Sequence, residues 1–184
     1  MIDDLADALG GIDVLVNNAG TSRQGGMLEL SYDDWRHTLA VDLDGAFLCA
    51  QRAARRMVEQ GRGGRIVNVT SVHEHTPLSG GGAYTVAKHA LGGLTKQLAL
   101  ELGRHGITVN SVAPGMVATP MTRLEDEDPL QHTTPQFPIP RPGDAREIAS
   151  CIAWLCSPDA RWTTGASFLV DGGFMLVNPS AQPE

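Results

Sequence analysis

The feature that most constrains the fold is a repeated alternation of short apolar segments with longer amphipathic ones. The short segments, which read as strands, lie at residues 12–16, 65–71, 107–114 and 166–170. Segments with apolar residues at helical spacing lie between them, at 32–60, 83–104 and 144–156. Strands that alternate with helices form parallel sheets with right-handed crossovers. The pattern therefore predicts an α/β fold with a parallel sheet of four strands in sequence order.

The same pattern predicts how the layers are arranged. We expect the two long helices, 32–60 and 83–104, on one face of the sheet and the helix at 144–156 on the other. The nearly continuous apolar run from Ile12 to Val16 is typical of a strand buried on both faces. The first nine residues have a helical pattern that ends at Gly10-Gly11. We expect residues 1–184 to form a single domain.

Composition excludes several classes of function. The net charge of −7 disfavours nucleic acid and anionic membranes as partners. No apolar run reaches the roughly 20 residues that a membrane span needs, and the acidic N-terminus does not resemble a secretory signal. The three cysteines lie in helical patterns without metal-binding spacing, which predicts free thiols in a reducing cytoplasm. We therefore expect a cytoplasmic protein that acts on a small molecule.

Polar or turn-forming residues follow three of the predicted strands directly. They are Asn17-Asn18, Ser71 and Pro114-Gly115. In open parallel sheets a ligand binds beyond the carboxyl ends of the strands. This edge of the sheet is therefore the predicted site, although Gly20 and Pro114-Gly115 are equally compatible with turns that have no other role.

Tyr84 and Lys88 are the sharpest chemical signal, a Y-x-x-x-K pattern near the start of a helix and 13 residues after Ser71. A spacing of four places both side chains on one helix face. A nearby ammonium favours the phenolate and is expected to lower the pKa of the tyrosine towards the working range. Such a tyrosine can exchange a proton with a carbonyl or alcohol oxygen that the serine orients. The same pattern also occurs by chance, as a packed aromatic beside a solvated lysine.

Together with four further motifs, these residues resemble the short-chain dehydrogenase/reductase family along essentially the whole chain. The additional motifs are NNAG at 17–20, N-x-x-x-P-G at 110–115, Thr119 after the Pro-Gly, and VDGG at 170–173. The resemblance implies a Rossmann-type doubly wound sheet, NAD or NADP as cofactor, and interconversion of alcohols and carbonyls. It also implies a homo-oligomer, a dimer or tetramer that pairs through the two long helices.

The resemblance assigns roles to individual residues. Tyr84 would be the acid/base, Lys88 would bind the nicotinamide ribose and tune the tyrosine, and Ser71 would orient the substrate oxygen. The cofactor would contact Tyr84 and Lys88. Its adenosine side would contact Asn18, Ala19 and Gly20. Its nicotinamide end would be surrounded by Pro114, Gly115, Val117 and Thr119.

Two other readings of the sequence are less favoured. His73, Glu74 and His75 could suggest a metal site, but a loop without further ligands more often lines a pocket, and we expect no metal. Contact of this loop with substrate is plausible because it follows Ser71. An α/β-hydrolase would require G-x-S-x-G, whereas Ser71 lies in NVTSV.

Asp42 marks a departure from the family. The family often carries a catalytic asparagine in a V-N-L-x-G-x-F context, which is thought to hold a water in the proton relay, and this chain has Asp42 at that position. An ionised aspartate accepts hydrogen bonds but cannot donate them. We count Asp42 among the catalytic residues and expect it to approach Lys88, where it would weaken the effect of the lysine on Tyr84.

A second departure is that these 184 residues lack the glycine-rich T-G-x-x-x-G-x-G turn that binds the cofactor pyrophosphate in the family. Met1 falls within what would be a later helix of the fold. We expect an N-terminally truncated domain in which much of the cofactor affinity is lost. Two hypotheses follow: the chain is part of an active reductase, or it is an inactive half domain that serves as an oligomerisation or interaction module.

Overall fold

The computed structural model describes residues 1–23 and 25–177. Its helices and strands occur in the predicted order: α1 (Ile2–Leu9), β1 (Val14–Asn17), α2 (Tyr32–Leu39), α3 (Gly45–Gln60), β2 (Gly64–Val69), α4 (Gly82–Leu102), β3 (Ile107–Pro114), α5 (Ala145–Cys156) and β4 (Ser167–Val170). The left-handed backbone of Gly10 ends α1 where the sequence predicts. Within this part of the chain, no helix is long and apolar enough to cross a membrane.

The four strands form one parallel sheet in the order β1-β2-β3-β4. The longest pairing joins β2 to β3, from Gly64 opposite Ile107 to Val69 opposite Val112. Both central strands are largely buried, as expected of parallel strands with helices on both faces. The predicted α/β class and strand order are therefore confirmed.

Neighbouring residues of β2 show which helices cover each face. Ile66 is fully buried in a cluster with Met57 of α3 and with Ala99 of α4. Val67, which points the opposite way because strand side chains alternate, packs in a second cluster with Leu155 of α5. The long helices thus lie on one face and the C-terminal helix on the other, as predicted.

β1 is less buried than its apolar sequence predicts. Leu15 is buried, but Val14 and Val16 on the other face are 42% and 39% exposed. The physical reason is that α5, the helix on that face, packs over β2, β3 and β4 and leaves β1 uncovered. The prediction that both faces of this strand are buried is therefore wrong for the described structure.

The predicted helix at 32–60 is continuous but contains a π-helical segment, Ala40–Asp44, between α2 and α3. Its start is as expected, because Ser31 caps α2 by accepting a hydrogen bond from the Asp34 amide at 3.1 Å. A π-helical turn inserts an extra residue into the hydrogen-bond pattern and often occurs at functional sites. Asp42 lies in the middle of this turn and is turned inward.

Candidate active site

A cavity of about 660 Å³ lies at the carboxyl ends of the strands, on the predicted edge of the sheet. Three of the four predicted catalytic residues and all the residues predicted to contact cofactor line it, namely Asn18, Ala19, Gly20, Ser71, Tyr84, Lys88, Pro114, Gly115, Val117 and Thr119. The remaining predicted catalytic residue, Asp42, lies behind this wall, next to Gly20 and Lys88.

Tyr84 and Lys88 lie one turn apart on the inward face of α4. Both are buried, with 8% and 4% of their surface exposed. The Nζ atom of Lys88 is 5.5 Å from the centre of the Tyr84 ring, and it donates a hydrogen bond of 3.2 Å to the carbonyl of Val69 at the end of β2. The i, i+4 spacing and this anchor on the neighbouring strand orient the amine towards the cavity.

Ser71 lies between the end of β2 and a short 3-10 turn, Val72–Glu74. Its Oγ caps the turn by accepting a hydrogen bond of 3.1 Å from the His73 amide. Burial raises the pKa of the Tyr84 phenol, and the Ser71 hydroxyl partly opposes that shift. Ser71 and Tyr84 line the same cavity.

Asp42 reaches the site from the π-helical turn. Its Oδ1 accepts a hydrogen bond of 2.7 Å from the Thr21 amide, and its Oδ2 lies 3.6 Å from Lys88 Nζ. Burial raises the pKa of Asp42, while Lys88 and the Thr21 amide lower it. Burial likewise lowers the pKa of Lys88, and Asp42 opposes that shift. The two groups thus stabilise each other's charged forms in a site that disfavours both charges.

The pKa of Tyr84 differs from the sequence-based expectation. Burial raises it, Ser71 partly counteracts the shift, and the charge of Asp42 raises it further. The expected lowering by Lys88 is therefore overturned for the protein alone, because desolvation disfavours the phenolate and Asp42 offsets the charge of the lysine. The raised pKa keeps the phenol of Tyr84 protonated at neutral pH.

His73, Glu74 and His75 point in different directions. Glu74 Oε2 accepts hydrogen bonds from three hydroxyls in or next to β2, β3 and β4, those of Thr70 at 2.6 Å, Ser167 at 3.0 Å and Ser111 at 3.1 Å. The His75 ring bonds Ser167, and the His73 ring bonds the Thr76 carbonyl. In the described part of the chain, no group of three or more His, Cys, Asp or Glu is arranged to hold a metal ion.

Gly115 and Asn110 have structural roles. A Cβ at Gly115 would lie 2.8 Å from the Asp171 Cα, so the Pro-Gly turn packs directly against the VDGG loop. The Asn110 side chain donates to the carbonyl of Thr163 and accepts from the amide of Ala166. Both residues thereby join β3 and the turn after it to the segments that flank β4.

Several residues in or behind the cavity wall were missed by sequence reasoning. Thr21, whose amide binds Asp42, directly follows the NNAG motif and could have been found there. Apolar lining residues such as Met121, Ile148 and Ile152 offered no signal, because apolar residues of a helix face or of an irregular loop resemble core residues.

Comparison with known proteins places this geometry in a family. A model of the enoyl-(acyl carrier protein) reductase family matches residues 1–175. The uncharacterized oxidoreductase YohF of Escherichia coli is 58% identical over 183 residues, which cover 100% of this chain and 72% of that protein.

Two solved structures share the fold. An acetoin dehydrogenase from Enterobacter cloacae has a TM-score of 0.92 and 60% identity over 99% of this chain and 71% of its own. A gluconate 5-dehydrogenase from Burkholderia cenocepacia, solved with NADP and tartrate, has a TM-score of 0.88 and 32% identity over 96% of this chain and 70% of its own. The family model and these relatives match nearly the whole of this chain, which also has the Tyr-Lys-Ser arrangement of the family. The chain belongs to the short-chain dehydrogenase/reductase family.

Proposed function

We propose that this chain forms the catalytic part of an NAD(P)-dependent oxidoreductase that interconverts a secondary alcohol and a carbonyl, with Tyr84 as the acid/base. The observation that carries the proposal is the convergence of Ser71, Tyr84 and Lys88 on one cavity at the carboxyl ends of the strands. A phenol beside an amine and a second hydroxyl suits proton exchange with a single substrate oxygen.

The lining of the cavity fits the nicotinamide end of a dinucleotide. A lysine ammonium has three N–H donors; Val69 accepts one and Asp42 lies beside the amine, which leaves donor capacity for ribose hydroxyls. Gly20 leaves the amine accessible, since a Cβ there would lie 3.4 Å from Lys88 Nζ. When bound, the nicotinamide supplies or accepts the hydride. NAD and NADP are both compatible with these residues.

Proton handling then follows from the protein's own groups. In carbonyl reduction the protonated phenol of Tyr84 donates to the substrate oxygen, and in alcohol oxidation the phenolate accepts the proton. The Ser71 hydroxyl fixes the position of that oxygen. Because burial raises the pKa of Tyr84, the phenol is near neutral pH in the protonated form that carbonyl reduction requires.

The relatives suggest where to look for a substrate. A structure with 60% identity to this chain is an acetoin dehydrogenase, so small α-hydroxy ketones and the corresponding diols are the first candidates. We further propose that the chain forms a single domain that works in the cytoplasm as a homo-oligomer.

The test compares two tyrosine substitutions, because the chain has only two tyrosines. Tyr84→Phe should lower kcat for acetoin by about 10²- to 10⁴-fold, the usual contribution of a positioned proton donor, without loss of nicotinamide binding. Tyr32→Phe is the matched control, since Tyr32 is 74% exposed. Full activity of Tyr84→Phe would contradict the proposal.

A measurement of cofactor binding distinguishes the hypothesis of an active reductase from that of an inactive half domain. Residues 1–184 and a version that also carries a family-type glycine-rich segment are titrated with NADH and NADPH by fluorescence. Loss of ~4 kcal/mol of pyrophosphate contacts corresponds to about a thousandfold weaker binding. The longer version should therefore bind at micromolar concentrations and residues 1–184 far more weakly. If neither version binds, the enzyme hypothesis is wrong and the inactive half domain remains.

A further inference from the structure

Glu74 makes the turn after Ser71 rigid. Its side chain is buried, and one carboxylate oxygen accepts hydrogen bonds from three hydroxyls around β2, β3 and β4. The other oxygen packs against α4, where a Cβ at Gly92 would lie only 2.4 Å away. A turn held from three strand segments and one helix positions its neighbours accurately, as residues that bind a ligand require.

His73 projects from this rigid turn between two aromatic rings. Its ring meets Tyr84 edge-on with centroids 6.3 Å apart, and it meets Phe174 edge-on with centroids 6.2 Å apart. Its own backbone amide donates to the Ser71 hydroxyl. His73 is therefore in contact with both groups that hold the reacting oxygen.

The tautomer of His73 is determined by its neighbour. The Nδ1 atom lies 3.1 Å from the carbonyl oxygen of Thr76, which can only accept, so Nδ1 carries the proton. Burial lowers the pKa of this histidine, which keeps the ring neutral. The remaining nitrogen, Nε2, is then a hydrogen-bond acceptor.

Nε2 is also accessible. This atom makes no hydrogen bond within residues 1–23 and 25–177. The buried polar atoms that lack a partner in that part of the chain do not include it, so Nε2 has some exposure to solvent. Nε2 is therefore open to solvent, on a ring that lies against the ring of Tyr84.

We propose that His73 is a specificity-determining residue whose Nε2 accepts a hydrogen bond from a hydroxyl on the carbon next to the reacting one. The site then selects α-hydroxy ketones and vicinal diols over simple ketones and over diketones. This inference rests on the proposed function and deepens it.

The chemistry distinguishes the possible reactions of such compounds. When a vicinal diol is oxidised, the hydride of one carbinol carbon passes to the oxidised nicotinamide, the proton of its hydroxyl passes to Tyr84, and an α-hydroxy ketone remains. The second hydroxyl is present in both diol and hydroxy ketone and donates to His73 throughout. A diketone has no hydroxyl to donate, and its carbonyl would face the lone pair of Nε2. The interconversion of diol and hydroxy ketone is therefore the favoured reaction.

The test uses three ketones with one carbon skeleton: butanone, acetoin and diacetyl. The complete enzyme with NADH or NADPH should have a kcat/KM for acetoin at least about tenfold above that for butanone, the fold-change of one net hydrogen bond, and above that for diacetyl. His73→Phe keeps a ring but removes the acceptor, so it should reduce the acetoin-to-butanone ratio by about tenfold or more. His73→Gln, which can place an amide oxygen near the position of Nε2, should restore part of it.

His89→Phe is the matched control. The Nδ1 atom of His89 likewise lies against a helix carbonyl, that of Thr85, at 2.9 Å, but its ring is on the exposed face of α4. This variant should keep the wild-type ratio. If the wild type shows a ratio near one, or if His73→Phe lowers the values for all three ketones equally, the proposal is wrong while the proposed function stands. If the wild type reduces none of them, the proposed function fails as well.

Discussion

The Oδ2 atom of Asp42 lies 3.6 Å from the Nζ atom of Lys88, and both side chains are almost completely buried. The pair places a negative charge beside the amine that the family uses next to its catalytic tyrosine. The effect reaches Tyr84, because the charge of Asp42 adds to burial in raising the pKa of the phenol. Asp42 therefore favours the protonated, proton-donating state of the site.

Asp42→Asn should lower the pKa of Tyr84, because it removes the carboxylate charge while the amide oxygen can still accept from Thr21. Alcohol oxidation requires the phenolate, so its kcat/KM should begin to rise at a lower pH than in the wild type. The measurement is the pH profile of alcohol oxidation. Asp44→Asn, on the exposed side of the same π-helical turn, is the control. A shift of the profile to higher pH would refute this role for Asp42.

Gly92→Ala should destabilise the protein, although alanine is the better helix former. A Cβ at position 92 would lie 2.4 Å from Glu74 Oε1, and the carboxylate cannot move freely because three hydroxyls bind it. Overpacking of this kind costs about 1–3 kcal/mol.

Gly93→Ala is the control for this substitution, since nothing lies within 4 Å of a Cβ at position 93. It should stabilise the protein by about 0.5–1 kcal/mol through helix propensity alone. Both variants are measured by urea unfolding. Equal effects of the two substitutions would show that Glu74 does not constrain α4.

The contribution of Glu147 to the free energy of unfolding should vary with pH in the acid range. Its carboxylate accepts hydrogen bonds from Arg141 and from the Asp144 amide, which lowers its pKa from 4.5 to about 2. A carboxyl with a lowered pKa stabilises the fold above its unfolded pKa and loses that contribution as pH falls through the folded one.

The free energy of unfolding of the wild type should therefore exceed that of Glu147→Gln at neutral pH, by less than about 1 kcal/mol because the pair is exposed. The difference should shrink as pH falls from 4.5 towards 2. Thermal melts across this range test it, with Glu125→Gln in the exposed loop before α5 as control. A difference that grows in acid would contradict the assignment.

Self-association should depend on the outer faces of α3 and α4. A shallow groove between these helices is lined by apolar residues, including Phe47, Val58 and Leu98, and Phe47 is 40% exposed. Phe47→Asp should shift the sedimentation coefficient towards that of the monomer, because pairing would bury the added charge. Leu28→Asp, at an exposed loop position, should leave it unchanged. A wild-type protein that sediments as a monomer would disprove the oligomer proposal.

Local patterns in the sequence were enough to predict the layout of the fold and the main candidate site residues. Strand and helix periodicities predicted the parallel sheet, its order and its two faces, because each pattern reports which side of an element is buried. The spacing of Tyr84 and Lys88 predicted one helix face, and the position of Ser71 after β2 predicted its place at the same sheet edge. These are local properties that a few neighbouring residues decide.

The burial of the site and the balance of its charges, in contrast, result from tertiary packing. The π-helical turn that carries Asp42 inward, the contact of Glu74 with Gly92, and the exposure of Val14 all depend on segments distant in sequence. The raised pKa of Tyr84 has the same origin, since desolvation and the charge of Asp42 act only after the chain has folded around the phenol. Residue spacing cannot encode such effects, because they arise from the packing of several elements at one point.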